Sequence, residues 1–213
     1  MTGTVSLGGG DPSAELSGLA ELLARGEAPV VAMAASLVVP QAALAPLTRD
    51  PFAGTSLLLR PGSGEPDVRV RHHLVTSVGS GFHAVTAPDR RSVGVVLISA
   101  QDAAAAAPLV AELASAVADG GVATDGADLV ELVAVALTRG GVPVRAVDMV
   151  DVPWFRSPAD VEEATATVSS VDDARVAQLQ ANRLDDGFYS TFVVRKASKP
   201  LTRLALRLGW SPN

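Results

Sequence analysis

Ser77-Val78-Gly79-Ser80-Gly81 is a turn whose backbone amides could cradle a phosphate, because glycine lets the chain approach an anion closely. No helix follows it, so it lacks the strand, glycine loop and helix order of a dinucleotide or P-loop site, and a plain strand connection is the competing reading. Gly8-Gly9-Gly10 does precede a helix and could accept an anion there. With no Lys or Arg nearby to complete such a site, it reads as a flexible lead-in. His72, His73 and His83 invite a metal, yet neighbours on a strand point to opposite faces, and no carboxylate–histidine spacing accompanies them. The carboxylates at 160–163 and 172–173 fall on a polar helix and solvate it. No serine stands in a nucleophile-elbow context. The residues alone therefore offer no catalytic constellation.

The C-terminal segment has a different chemistry. After Asp186 there is no acid, but Arg195, Lys196, Lys199, Arg203 and Arg207 all follow. Of the chain's 17 basic residues these five lie in the tail, leaving 12 bases against 23 acids upstream. Leu201, Leu204, Ala205 and Leu208 recur at helical spacing behind Pro200, with Arg203 and Arg207 on one flank. Trp210 suits the headgroup level of a bilayer. Each base near an anionic leaflet contributes about 1 kcal/mol, so the segment is built to lie on an anionic membrane surface. The competing reading is a last helix that docks on its own domain. The acidic body argues against nucleic acid as a partner.

The elements that must position these residues are legible in outline. A chain of 213 residues suits one domain of ordinary size. Its apolar fraction is 48% but its aromatic fraction only 4%, so Ala, Val and Leu must build the core. There is no cysteine, which excludes disulfides and thiolate chemistry. The first residues show no basic and apolar order of a secretory signal. Mean hydropathy is +0.30, yet the most apolar stretch, 103–118, contains Pro108 and Glu112 and is too weak to span a bilayer.

Helices are expected at 12–25, 40–47, 101–119 and 127–139, with one long polar helix at 158–183. Buried strands are expected at 29–34, 55–60, 93–98 and 142–150, and more exposed ones at 68–75 and 82–86 around the SVGSG turn. Alternating helices and apolar strands specify an α/β domain with a mostly parallel or mixed sheet flanked by helices. The expected division is an α/β domain over 1–184 and a basic amphipathic juxtamembrane helix segment over 185–213.

Two segments resemble known families. Asp185 to Val194, then KPLTRLALRLGWSPN at 199–213, is similar to the stretch before the first membrane helix of actinobacterial CDP-alcohol phosphatidyltransferases, where an amphipathic cytoplasmic helix leads into the membrane domain. PVVAMAASLVV (29–39) and VDVPWFRSPADVEEA (150–164) resemble, in order and spacing, the nucleotidyltransferase-like domain that some members carry ahead of the membrane part. The second is similar to an element near the end of sugar-nucleotide and inositol-phosphate cytidylyltransferases.

The resemblance implies a nucleotidyltransferase-like (Rossmann-like) fold that begins inside its first β-α-β half. It also implies two metal-ligand positions, and these hold Ser36 and Arg156, neither of them a carboxylate. The family's Gly-rich phosphate loop is not found, and Asp186-Gly187 lacks the Ala-Arg that its membrane catalytic motif requires. The implied role is a non-catalytic cytosolic accessory domain on the cytoplasmic face of a membrane. Its partners would be an anionic bilayer and a membrane-embedded transferase domain, with homodimer formation through that domain. No cofactor is expected in this segment; Mg²⁺ belongs to the membrane domain, or to the alternative of an active cytidylyltransferase making a CDP-alcohol. A free peripheral adaptor is the other alternative.

Overall fold

The structure is a computed structural model that describes residues 2–48, 54–61, 67–81, 84–124 and 127–184. The chain divides into two compact units, Met1–Val171 and Asp172–Asn213.

A parallel βαβ unit opens the first. β1 (Gly3–Leu7) leads through α1 (Pro12–Arg25) to β2 (Val30–Ala34), with Gly3 opposite Val30 and Leu7 opposite Ala34. The ends of α1 follow their sequence signals. The Asp11 side chain accepts the Ala14 amide at 3.0 Å, Pro12 takes the first turn, and Gly26 closes the helix at a φ of +63°. The unit includes a first strand that was not among the expected elements. β1 escapes a sequence reading because it is short and half polar, with Thr4 and Ser6 exposed.

β3 (Leu37–Val38), α2 (Gln41–Thr48) and β4 (Ser56–Pro61) come next, then the hairpin of β5 (Val68–Arg71) and β6 (Leu74–Val78). β7 (Arg90–Ile98), α3 (Ala103–Ala118), α4 (Leu129–Arg139), β8 (Arg145–Asp148), β9 (Phe155–Arg156) and α5 (Val161–Ser169) complete the unit. Seven strands form one sheet in the order β1-β2-β7-β4-β8-β6-β5, and β3 pairs with β9 in a separate ribbon. Only β1/β2 and β4/β8 are parallel, so the sheet is mixed.

Both faces of the sheet centre are buried. Leu57 and Leu59 of β4 join the core cluster under α1, α3 and α4, while Leu58 points the other way and is equally inaccessible. Continuous apolar strands of this kind belong to a sheet covered on both sides. Among the described residues no helix is long and apolar enough to cross a membrane.

Two expectations fail locally. The hairpin turns at His72-His73, both at positive φ (50° and 65°), and not at the glycines, which follow the end of β6. The histidines are exposed at the hairpin tip and do not alternate on a strand. The long polar helix is two helices. α5 ends at Ser170, whose amide bonds back to the Ala166 carbonyl. The second unit begins a new helix, α6 (Asp173–Leu184), where the Asp172 side chain accepts the Ala174 amide at 2.9 Å. An acceptor side chain at that point favours a helix start over continuation.

Candidate functional site

A cleft of about 340 Å³ opens at the carboxyl ends of β1 and β2, the end where open α/β sheets place ligands. Leu7 and Gly8 supply one edge, Ala34 and Ser36 the next, and Asp128, Glu131, Arg156 and Ser157 the rest.

The cleft exists because β7 bends. β2 follows β7 from Ile98 back to Val95, and the β4 register shifts between Leu57 and Leu59, leaving Gly94 in a bulge at a φ of +88°. A Cβ at Gly94 would stand 3.3 Å from the Ala34 Cβ and 3.5 Å from Asp128 Oδ2. Glycine there lets charged side chains reach the bent strand.

Those side chains form the central feature of the cleft. Asp128 caps α4, accepting the Val130 amide at 2.7 Å, and Glu131 lies three residues on, so both carboxylates face the same way. Arg156 binds both, Nη2 to Asp128 Oδ2 at 2.6 Å and Nη1 to Glu131 Oε1 at 2.7 Å. Their side chains are only 12–18% exposed. Asp67 stands against the same group, its Oδ1 accepting the Ser92 amide at 2.7 Å.

Two carboxyl groups beside this guanidinium, Asp67 and Glu131, titrate abnormally. Burial pushes the Asp67 carboxyl up, against the Ser92 hydrogen bond and the charges of Arg156 and Arg91. Burial also raises Glu131, helped by the negative charges of Asp128 and Asp67 and opposed by Arg156. For Arg156, burial disfavours the charge, but Glu131 and Asp128 outweigh it and hold the guanidinium protonated more firmly than usual.

The two positions implied by resemblance meet here. Leu37 pairs with Arg156 across β3/β9, and the Ser36 and Ser157 hydroxyls lie 3.0 Å apart at the exposed rim. Gly79, Ser80 and Gly81 do not line the cleft. Gly79 instead donates its amide to the Asp67 carbonyl at 2.6 Å, and a Cβ there would sit 3.0 Å from that oxygen. His83, the tail residues Arg195, Lys196, Lys199, Arg203, Arg207 and Trp210, and the amphipathic helix they specify lie outside the described residues. Asp67, Asp128 and Glu131 escape a sequence reading. Only the Asp128-x-x-Glu131 spacing at a helix start hints at them, and their cation lies far along the chain.

The Gly8–Gly10 loop is not free. All three of its amides donate to the Glu15 carboxylate, Gly9 at 3.0 Å and Gly10 at 2.6 Å. At the opposite end of β7, Asp102 accepts from the Thr55 amide at 3.1 Å, the Thr55 hydroxyl at 2.7 Å and the Ser99 hydroxyl at 2.8 Å. Burial tends to raise its carboxyl, but those donors outweigh burial and hold it below the usual carboxylate range.

Among the described residues no group of three or more His, Cys, Asp or Glu side chains is disposed to hold a metal ion. The cleft carboxylates do not fit Mg²⁺, since Asp128 and Glu131 already close on a fixed cation.

No family model matches the sequence, and no curated protein matches it. Among solved structures, the chain is similar to the inositol-1-phosphate CTP transferase from T. maritima, with a TM-score of 0.44 and 15% identity over 68% of this chain. It is also similar to a candidate glucose-1-phosphate thymidylyltransferase from Bacillus anthracis in complex with a sucrose, with a TM-score of 0.49 and 13% identity over 75% of this chain. The chain spans 57% and 61% of those two chains.

Proposed function

We propose that the chain is a nucleotidyltransferase-like domain without nucleotidyl-transfer activity of its own, serving as the cytosolic accessory domain of a membrane CDP-alcohol phosphatidyltransferase. The observation that carries the loss of activity is the pairing of Arg156 with both Asp128 and Glu131 in the cleft. Nucleotidyl transfer needs a divalent cation held by carboxylates and bridging the phosphates. Here the carboxylates hold a guanidinium, and a metal would have to break a buried ion pair to reach them. An incoming triphosphate would also meet Asp128 and Glu131 at the cleft wall, with Arg156 already shared between them. Support for the membrane role is the tail sequence, whose five bases and apolar stripe suit an anionic leaflet. A membrane-embedded transferase domain is the partner that the tail's resemblance suggests, and dimerisation would come through that domain.

Calorimetric titration with CTP and Mg²⁺, then with CDP-alcohols, tests the first half. The expected result is no binding heat at millimolar ligand. Metal-dependent micromolar binding overturns it and favours an active cytidylyltransferase. Cosedimentation with anionic vesicles tests the second half. Arg203→Glu with Arg207→Glu should release the chain, and unchanged binding removes the membrane role.

A further inference from the structure

The seven-stranded sheet ends differently on its two sides. On one side β5 curls back to meet β7, with Val68 opposite Arg90, and carries Arg69, Arg71 and a register shift between Arg69 and Val70. Bases, a bulge and partial closure keep an edge from pairing with another chain. On the other side β1 pairs with β2, and among the described residues no strand lies along its far side. The strand itself carries nothing that blunts it. GTVSL has no charge and no proline, and its register against β2 runs unbroken from Gly3 to Leu7.

The groups this edge offers follow from the ladder. The Gly3 amide donates to the Pro29 carbonyl at 2.9 Å, and the Leu7 carbonyl accepts the Ala35 amide at 2.7 Å. Alternate residues of a parallel strand face the partner, so Gly3, Val5 and Leu7 are turned to β2. Thr4 and Ser6, both exposed, turn their amides and carbonyls outward. Beyond Leu7 the amides of Gly8 to Gly10 are taken by Glu15, which ends the free edge there. The side chains over the edge are apolar and incompletely covered. Val5 and Leu22 are only partly buried against the core, and Leu22 Cδ2 stands 3.7 Å from where a Gly3 Cβ would be.

A twofold axis brings every charge onto its own copy, so an edge that meets itself has to be neutral. β1 passes that test and β5, with its two arginines, does not. Antiparallel pairing centred on Val5 sets Thr4 against Ser6 of the second copy, where both N–H···O bonds are exchanged. It also sets Val5 on Val5, a β-branched cross-strand pair, and Leu7 on Gly3, large against small, beside Leu22. We propose that β1 is a self-association edge, through which two copies of this chain join their sheets into one. The contact belongs to the domain itself and stands apart from any made through a membrane partner. Its small area places it in the weak, concentration-dependent class.

Sedimentation equilibrium of the full chain tests it. The chain should pass from monomer toward dimer as its concentration rises through roughly ten to several hundred micromolar. Thr4→Pro deletes one outward amide and leaves the β2 ladder intact, so it should abolish the rise while thermal melting is kept. A wild-type chain that stays monomeric throughout, or a Thr4→Pro dimer of wild-type affinity, overturns the proposal. Disulfides read the register, since the chain has no cysteine of its own. Residues facing each other in a non-hydrogen-bonded antiparallel pair stand about 4.5 Å apart at Cα, within reach of a disulfide. Val5→Cys should therefore give a covalent dimer under mild oxidation, whereas Thr4→Cys, whose copy lies on the diagonal, should not. Equal cross-linking at both positions, or at neither, also overturns the proposal.

Discussion

One end of β7 holds a single carboxylate, Asp102, and the other holds several, and the shifts at the two ends run in opposite directions. Asp102 is surrounded by donors, two hydroxyls and an amide, so its charge is stabilised where it stands. At Asp67 burial prevails over the Ser92 amide, Arg156 and Arg91, and at Glu131 it prevails over Arg156 with help from the charges of Asp128 and Asp67. Burial acts in the same sense on all three. What differs is whether the neighbouring donors and cations outweigh it. The donor-rich end ties α3 to β4 and has the character of a structural joint. The charge-crowded end lines the cleft, and crowding of that kind concentrates where proteins do chemistry or once did it.

The sharpest way to break this contrast is to remove the cation. Arg156→Met strands Asp128 and Glu131 without a partner and should lose about 3–5 kcal/mol of stability near neutral pH, recovering part of it in acid as the carboxylates protonate. Urea denaturation at two pH values measures both effects. A uniform loss at every pH would mean that Arg156 acts by packing alone. Asp102→Ala comes next, with about 1–3 kcal/mol expected from the loss of three hydrogen bonds to a partly exposed charge.

The pH sign reverses at that end. A carboxyl held below its ordinary range contributes stability that is present above the unfolded value and lost as pH falls through the folded one. Asp102→Asn should therefore flatten the acid limb of the stability profile and leave the alkaline limb alone. Gly94→Ala should cost about 1–3 kcal/mol, from positive φ and the crowding of Ala34. It should also weaken the Arg156 end selectively, visible as faster hydrogen exchange at Val130. The smallest effect lies away from both ends. His73→Gly at the hairpin tip should gain a few tenths to about 1 kcal/mol by relieving a left-handed backbone, read as a rise in thermal melting temperature.

How much of this was legible in the sequence depends on how local the cause is. α1 reads cleanly because Asp11, Pro12 and Gly26 are neighbours of the ends they fix. The break at 170–172 passes unnoticed in a polar stretch, since nothing apolar changes period there. The β5/β6 turn is hidden because two histidines adopt a conformation that sequence rules assign to Asn and Gly. Gly79 misleads for the converse reason: it is glycine to admit the Asp67 carbonyl, not to turn the chain. The cleft is the least legible part. Ser36 and Arg156 come from the family resemblance, but the carboxylates that give Arg156 its meaning lie on other elements and meet it only after the sheet bends at Gly94.

Glu15 changes what three consecutive glycines mean. Free in water, Gly8 to Gly10 would be the stretch with the most conformations to lose on folding. Bridged to Glu15, they become part of a small closed ring spanning the turn from strand to helix, sealed by hydrogen bonds instead of a covalent link. Closing so short a ring adds little loop entropy beyond what α1 already fixes. The segment whose composition promises the most slack is therefore tethered, and the joint between the first strand and the first helix moves as one piece with them.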